Sequence, residues 1–211
     1  MGMDLSYQAI PHESPALERA RHDGLFGSAL EFWGSYTRPD TRRDAMMRRA
    51  RASQEEHDLV FVDAVMLARQ TAREHPGLES RCWTWSRGYD AVHYLLSPAR
   101  RAGHGEAHDW AHAPIYGAQV LHPDARTTIG FPIRYNPPHL VREYAEIIGV
   151  ATHDDLVQHF DAASMKRSGI YKCAGEPDGF ENWMWPEFEA WRAFLLSMLA
   201  FPKEGLLCCI G

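Results

Sequence analysis

The segment GHGEAHDWAH gathers His104, Glu106, His108, Asp109 and His112, all side chains that can ligate a metal. If residues 106–113 were helical, His108 and His112 would stand one turn apart on one face, the spacing by which two imidazoles share a divalent cation. With His104 they form the candidate metal set of this chain. Glu106 and Asp109 would then point to other faces, no H-E-x-x-H is present, and the H-x-E here lacks the downstream P-C-x-x-C of a zinc deaminase. A solvated polar loop is the simpler reading of the segment, and no cofactor is expected.

A second group of candidates is scattered along the chain. His93 falls on the apolar face of a helical pattern in which Tyr89, Val92, His93 and Leu96 recur at three- and four-residue steps. An imidazole there is a general base if the face lines a cleft, or a core histidine bonded to a backbone carbonyl if it does not. Arg134 and Tyr135 stand before the Asn136-Pro137-Pro138 turn, where a guanidinium can meet an anionic ligand or pin the turn through a carboxylate. Tyr171, closing a GIY triplet, joins the same speculative ligand pocket: His93, Arg134, Tyr135 and Tyr171.

Other motifs carry less chemistry. Residues 38–51 hold a run of arginines with Asp40 and Asp44, a basic face able to track phosphates. Glu55, Glu56 and Asp58 follow at once and no aromatic interrupts the run, so a solvated face is favoured and nucleic acid is an unlikely partner. The segment FENWMWPEF offers Trp183 and Trp185 for stacking, although its spacing suits core packing better. There is no G-x-S-x-G elbow, Walker loop or G-x-G-x-x-G.

The elements that must position these residues are mixed. A strand is predicted over residues 3–10, and Ser14 followed by Pro15 opens a helix. Ser53 with Glu56 reads as a capping box for a central, largely buried helix that ends at His75-Pro76-Gly77. The next helix is predicted over residues 83–96, stopped by Ser97-Pro98. Strands follow over residues 116–121 and 128–135, then a helix over 139–148 and another capped by Thr152 and Asp155. A helix from Pro186 turns Phe188, Trp191, Phe194, Leu195, Met198 and Leu199 inward, and residues 206–210 close the chain as an apolar strand. Helices interrupt four short strands without regular βαβ alternation, which makes the fold class α+β.

Composition bounds the rest. The 211 residues are 45% hydrophobic and 24% charged, with a formal net charge of -6, the make-up of a packed globule rather than a polyanion-binding surface. Cys82, Cys173, Cys208 and Cys209 include no C-x-x-C pair, so a reducing compartment is expected. The opening MGMDLSYQAI lacks a signal-peptide pattern and no run reaches the length of a membrane span, so no membrane is expected.

Several segments taken in order resemble the YfbM-like family of bacterial proteins, a domain of unknown function. They are the opening Met1-Gly2-Met3, RGYDAVHYLLSP (87–98), GFPIRYNPPHLV (130–141), LVQHFDAASMKRSGIY (156–171) and the closing GLLCCIG. Residues 11–81 match poorly. The resemblance implies a cytoplasmic bacterial α+β protein and no assigned reaction. The sequence therefore reads as one domain over residues 1–211, mostly helical, with a small sheet that includes the N- and C-terminal strands. Its expected role is a non-catalytic interaction or ligand-binding protein with an unidentified protein or small-molecule partner. The alternatives are a hydrolase or transferase built around His93, Arg134 and Tyr171, with or without a metal, and nucleic-acid binding through residues 38–51.

Overall fold

The closing residues EGLLCCI are apolar almost without interruption, and the chain covers them on both sides. In the computed structural model, which describes residues 3–53, 55–85, 88–103, 109–170 and 178–211, they form the middle strand of an antiparallel sheet. The elements run β1 (Leu5–Pro11), α1 (Pro15–His22), α2 (Gly24–Ala29), α3 (Trp33–Tyr36), α4 (Thr41–Ser53), α5 (Glu56–Glu74), β2 (Cys82–Trp85), α6 (Tyr89–Leu96), α7 (Pro98–Arg101) and α8 (His112–Tyr116). There follow β3 (Gln119–Val120), β4 (Arg134–Asn136), α9 (Pro138–Gly149), α10 (His153–Val157), α11 (Ala162–Arg167), α12 (Trp185–Ser197) and β5 (Glu204–Ile210). The sheet order is β2-β1-β5-β4-β3, so the two chain ends pair with each other and the fold class is α+β.

Register decides which side chains share a face. Tyr7 lies opposite Cys208 and Trp83, Leu5 opposite Ile210 and Trp85, and Arg134 opposite Cys208. These residues occupy one face of the sheet, packed by the aromatic side of α12: the Tyr7 ring sits 6.4 Å from Trp191, and Trp85 5.3 Å from Trp191. The Tyr7 hydroxyl donates to the Ile115 carbonyl of α8 at 2.7 Å, which ties that short helix to the same face. On the other face the Gln8 side chain donates to Glu31 O at 2.7 Å and accepts from the Gly34 N–H, fixing the segment that holds α2 and α3. Because helices cover both faces, β1 and β5 are buried on both sides and lack the apolar-polar alternation of a half-wet sheet.

Several sequence expectations change. Residues 83–85 are strand rather than helix: the alternation Trp83-Thr84-Trp85 matches a period of two, and the helix starts only at Tyr89. That strand is the fifth, one more than the four expected. Ser53 ends α4 instead of capping α5, whose first turn follows Glu55; its hydroxyl accepts from the Glu55 N–H at 3.1 Å. Helix α5 is not central, since Leu59 and Met66 are exposed while Val62, Val65 and Ala68 pack inward. The internal strands are short because Tyr116 belongs to α8, Gly130 turns at φ 92°, and Pro132 has no N–H for a ladder. At the last helix, Leu199 is exposed although Phe188, Trp191, Leu195 and Met198 are buried. The terminal strands, the Ser14 cap and the Thr152–Asp155 capping box stand as expected.

One buried ion pair closes the sheet at its lower end. The Arg81 guanidinium, at the entrance to β2, meets the Glu204 carboxylate with both bonds at 2.8 Å and lies 4.1 Å over the Phe201 ring. Glu204 is only 5% exposed, so removing the guanidinium leaves a buried carboxylate with the more distant His75 imidazole, at 4.0 Å, in place of its two-bonded counter-charge. Arg81→Ala is expected to lower stability by about 3–5 kcal/mol in urea unfolding. A change under about 1 kcal/mol would place the pair with ordinary surface contacts.

Candidate functional site

Helix α6 buries most of its circumference, including Tyr89, Ala91, Val92, His93, Tyr94 and Leu95. Three-residue spacing puts Asp90 and His93 on neighbouring positions of one side. The helix stops where Ser97 turns extended: its N–H still donates to His93 O at 2.9 Å, while its hydroxyl accepts from the Arg100 N–H at 2.9 Å and starts α7. Arg101 covers the freed carbonyls of Tyr94 and Leu95 at 3.0 and 2.6 Å. Local sequence thus fixes the end of α6, and with it the height of His93.

The partner of His93 comes from further along the chain. Its Nε2 lies 2.7 Å from Asp109 Oδ2, and both side chains are almost wholly buried. The other oxygen, Asp109 Oδ1, accepts the Ala111 N–H at 3.1 Å, and the Ser97 side chain helps hold the carboxylate ionised. Burial pushes the His93 imidazole below its ordinary range, and the Asp109 charge only partly offsets it. Burial also pushes the Asp109 carboxyl up, but the Ser97 side chain, the His93 ring and the Ala111 N–H outweigh it and hold the group below the usual carboxylate range. A neutral imidazole beside an ionised carboxylate satisfies both directions. His93 Nδ1 is buried and finds no hydrogen-bond partner among the described residues.

Helix α8 brings His112 and Tyr116 against this pair, with ring centroids 5.9 and 5.1 Å from His93. Burial, then the neighbouring Asp90 charge, raises the Tyr116 hydroxyl, which remains protonated and donates to Asp90 Oδ1 at 3.4 Å. The same oxygen lies 3.4 Å from an Arg100 nitrogen. From the sheet comes Arg134, whose Nε donates to Gly117 O at 2.9 Å. Gly117 has φ 96°, and a Cβ there would meet Arg134 Cβ at 2.6 Å, so glycine is required on both counts.

Together these residues wall a cavity of about 520 Å³, with His93, Asp109, His112, Tyr116, Arg134 and Cys208 contributing polar or polarisable atoms. Cys208 is no nucleophile here: burial, followed by the adjacent Cys209, drives its thiol well above the usual range. A larger groove of about 600 Å³ lies between α4 and α5, with Arg51, Arg69 and Arg73 on its rim. Arg69 already pairs with Asp44 at 2.6 Å, and no buried acid–base pair lines that groove, so the cavity beside α6 is the stronger candidate.

The residues singled out from sequence divide accordingly. His93 and Arg134 share this cavity. Tyr135 does not: next to Arg134 on a strand, it faces the other side of the sheet, 2.8 Å from His12 Nδ1, and crosses close over Gly205. Tyr171, His104 and His108 lie outside the described residues. His112 starts α8, where the expected helix through residue 108 would have made it the second turn, and no group of three or more metal-ligating side chains occurs among the described residues. On the basic helix, Arg43 bonds to Ser35 O at 2.6 Å and Arg38 to Glu79 O at 2.8 Å, whereas Arg42, Arg48 and Arg49 are exposed. Trp183 and Trp185 are half-buried. Sequence reasoning missed Asp109 as the partner of His93, and also Asp90, Arg100 and Tyr116. Only the Asp90–His93 spacing carried a signal.

Two measurements probe this arrangement. Gly117→Ala is expected to cost at least about 1 kcal/mol, because positive φ and close contact act together; an unchanged urea midpoint would mean the Arg134 wall does not need that approach. The lowered His93 group has a folded pKa below its unfolded value, so its contribution is complete above about pH 6.5 and is lost as pH falls from there toward the folded value. The stability advantage of wild type over His93→Gln should therefore shrink between pH 7 and 5. An advantage that grows on acidification would reverse the assigned charge state.

No curated protein and no solved structure matches the chain. No helix among the described residues is long and apolar enough to cross a membrane. The family model described as a domain of unknown function, DUF1877, matches residues 44–203. That span begins within α4, takes in the resembling segments 87–98, 130–141 and 156–171 but neither Met1-Gly2-Met3 nor GLLCCIG, and includes every cavity residue from Asp90 to Arg134. Matched over more than half its length, the chain belongs to the DUF1877 family, the YfbM-like group of unknown function.

Proposed function

We propose that this protein binds a small anionic molecule in the cavity between α6, α8 and the β4–β5 edge. The carrying observation is the charge inventory of the walls. Asp109 is engaged by His93, and Asp90 by Arg100 and Tyr116. Arg134 is held only through its Nε, and no carboxylate lies within ion-pair distance of its guanidinium among the described residues. A half-buried arginine that lines a walled space suits a carboxylate or phosphate oxygen pair. The volume lies within the range of small-molecule sites, and Phe131, Pro132 and Ile210 supply apolar walls.

The same site supports a second reading, a hydrolase or transferase, because an imidazole oriented by a buried carboxylate is the arrangement of a general base. Binding is the reading that needs no further group. We also infer a cytoplasmic bacterial protein folded as one unit over residues 1–211. The family resemblance, the free thiols of Cys82, Cys208 and Cys209, and the pairing of the chain ends support it.

Titration calorimetry with inorganic phosphate, propionate and succinate tests the anion site. At least one should bind saturably to wild type and about tenfold more weakly to Arg134→Met, a variant that keeps the unbranched stem but not the guanidinium charge. Equal binding to both proteins, or to neither, would remove Arg134 as an anion anchor. Proton NMR of the protein with propyl phosphate and with ethyl propionate over a day separates the two readings, since hydrolysis of either favours the enzyme and intact probes favour binding.

A further inference from the structure

The Asp109–His93 pair determines more than a charge state, and its consequence for the ligand rests on the anion site at Arg134. An ionised carboxylate only accepts hydrogen bonds, so the contact at 2.7 Å between Asp109 Oδ2 and His93 Nε2 requires the imidazole proton on Nε2. The carboxylate cannot rotate away from this duty, because its Oδ1 is held by the Ala111 N–H at 3.1 Å. His93 Nδ1 is thereby left as a lone-pair acceptor. It is buried and without a partner among the described residues, on a side chain that is 4% exposed and borders the cavity. Buried acceptors are nearly always satisfied, so this one marks a position where a donor belongs. Among the described residues, the Tyr116 hydroxyl and an Arg100 nitrogen both face Asp90, and Arg134 Nε faces Gly117 O, so these three neighbouring donors point elsewhere.

We infer that the ligand carries a hydroxyl or amine hydrogen beside its anionic group, donated to His93 Nδ1 while Arg134 holds the anion. The class is a small hydroxylated carboxylate or phosphate. Asp109 acts as a positioning residue, setting which imidazole nitrogen is the acceptor.

Two pairs of probes test this, one for each anion: lactate against propionate, and glycerol 3-phosphate against propyl phosphate. In at least one pair the hydroxylated member should bind wild type about tenfold more tightly. The preference should vanish in Asp109→Asn while the deoxy member binds as before. The reason is geometric. With the carbonyl of the introduced amide kept on the Ala111 N–H, its nitrogen replaces Oδ2 and donates to Nε2, which moves the imidazole proton to Nδ1 and turns the acceptor into a donor. Nitrogen-15 NMR of histidine-labelled protein reads this directly and needs no ligand. Wild type should show Nε2 protonated and Nδ1 bare, and the variant the reverse.

A wild-type spectrum with the proton on Nδ1 overturns the inference, even if Asp109→Asn fails to fold. So does equal binding within both probe pairs, the result expected if water alone meets Nδ1. If deoxy anions bind through Arg134 and the hydroxyl adds nothing, only this inference falls. If no probe binds, or Arg134→Met binds all of them unchanged, the anion site falls with it.

Discussion

Strand β5 pairs with β1 along its whole length on one side and with β4 on the other, so the sheet is not assembled until the last residues of the chain are in place. This is the constraint on which the remaining structure depends. The strand is buried on both faces, and its apolar run gains free energy only if helices from both halves of the chain close over it. Near Gly205 the packing is so close that the Tyr135 hydroxyl occupies the space a side chain would need. The β4–β5 register that this contact helps fix also puts Arg134 opposite Cys208, at the wall of the cavity. Position of the cationic group is thus inherited from the pairing of the chain ends.

The second organising interaction is electrostatic. Burying an isolated carboxylate costs several kcal/mol, and burying an isolated imidazolium is costly as well. Asp109 meets that cost with two hydrogen bonds, from His93 and the Ala111 N–H. His93 meets it by staying neutral. The pair links α6 to the segment leading into α8, and Tyr7 then ties α8 to β1, so the site is braced by the same residues that complete the core. An alternative arrangement in which His93 bonded a backbone carbonyl would have left Asp109 buried with one contact fewer.

What could be read in the sequence is what depends on near neighbours. Ser14 before Pro15, and Thr152 with Asp155, announce their caps because both partners lie within one helical turn. The apolar run at residues 206–210 announces a buried strand because no other element is that short and that apolar. His93 is legible as an inward-facing imidazole for the same reason. Asp109 is not legible as its partner, because the two stand sixteen residues apart, a separation that no helical or strand period connects. Adjacency in sequence suggests one pocket for Arg134 and Tyr135, yet alternation along a strand sends neighbouring side chains to opposite faces, and a stricter use of that rule separates them. Trp83 and Trp85 fail differently: the helical period of Tyr89, Val92, His93 and Leu96 draws them toward α6, although their own spacing of two is that of a strand, and pairing with Leu5 and Tyr7 decides the matter.

Both constraints act on the thermodynamics of the site. A guanidinium without a counter-charge and a buried acceptor without a donor each cost free energy, about 1–3 kcal/mol for the acceptor. That is a sizeable fraction of the roughly 5–15 kcal/mol by which domains of this kind are stable. Replacing Arg134 with an apolar side chain would relieve the first cost, whereas replacing His93 would strand the buried Asp109 carboxylate that it partners. The fold nonetheless positions both groups on one cavity, braces one with a carboxylate held at each oxygen and clears space for the other with a positive-φ glycine, which is the arrangement the proposed ligand would complete. Occupancy would then stabilise the native chain by mass action, in proportion to the logarithm of ligand concentration over its Kd, so ligand recognition and the stability of α6, α8 and the β4–β5 edge are one linked equilibrium.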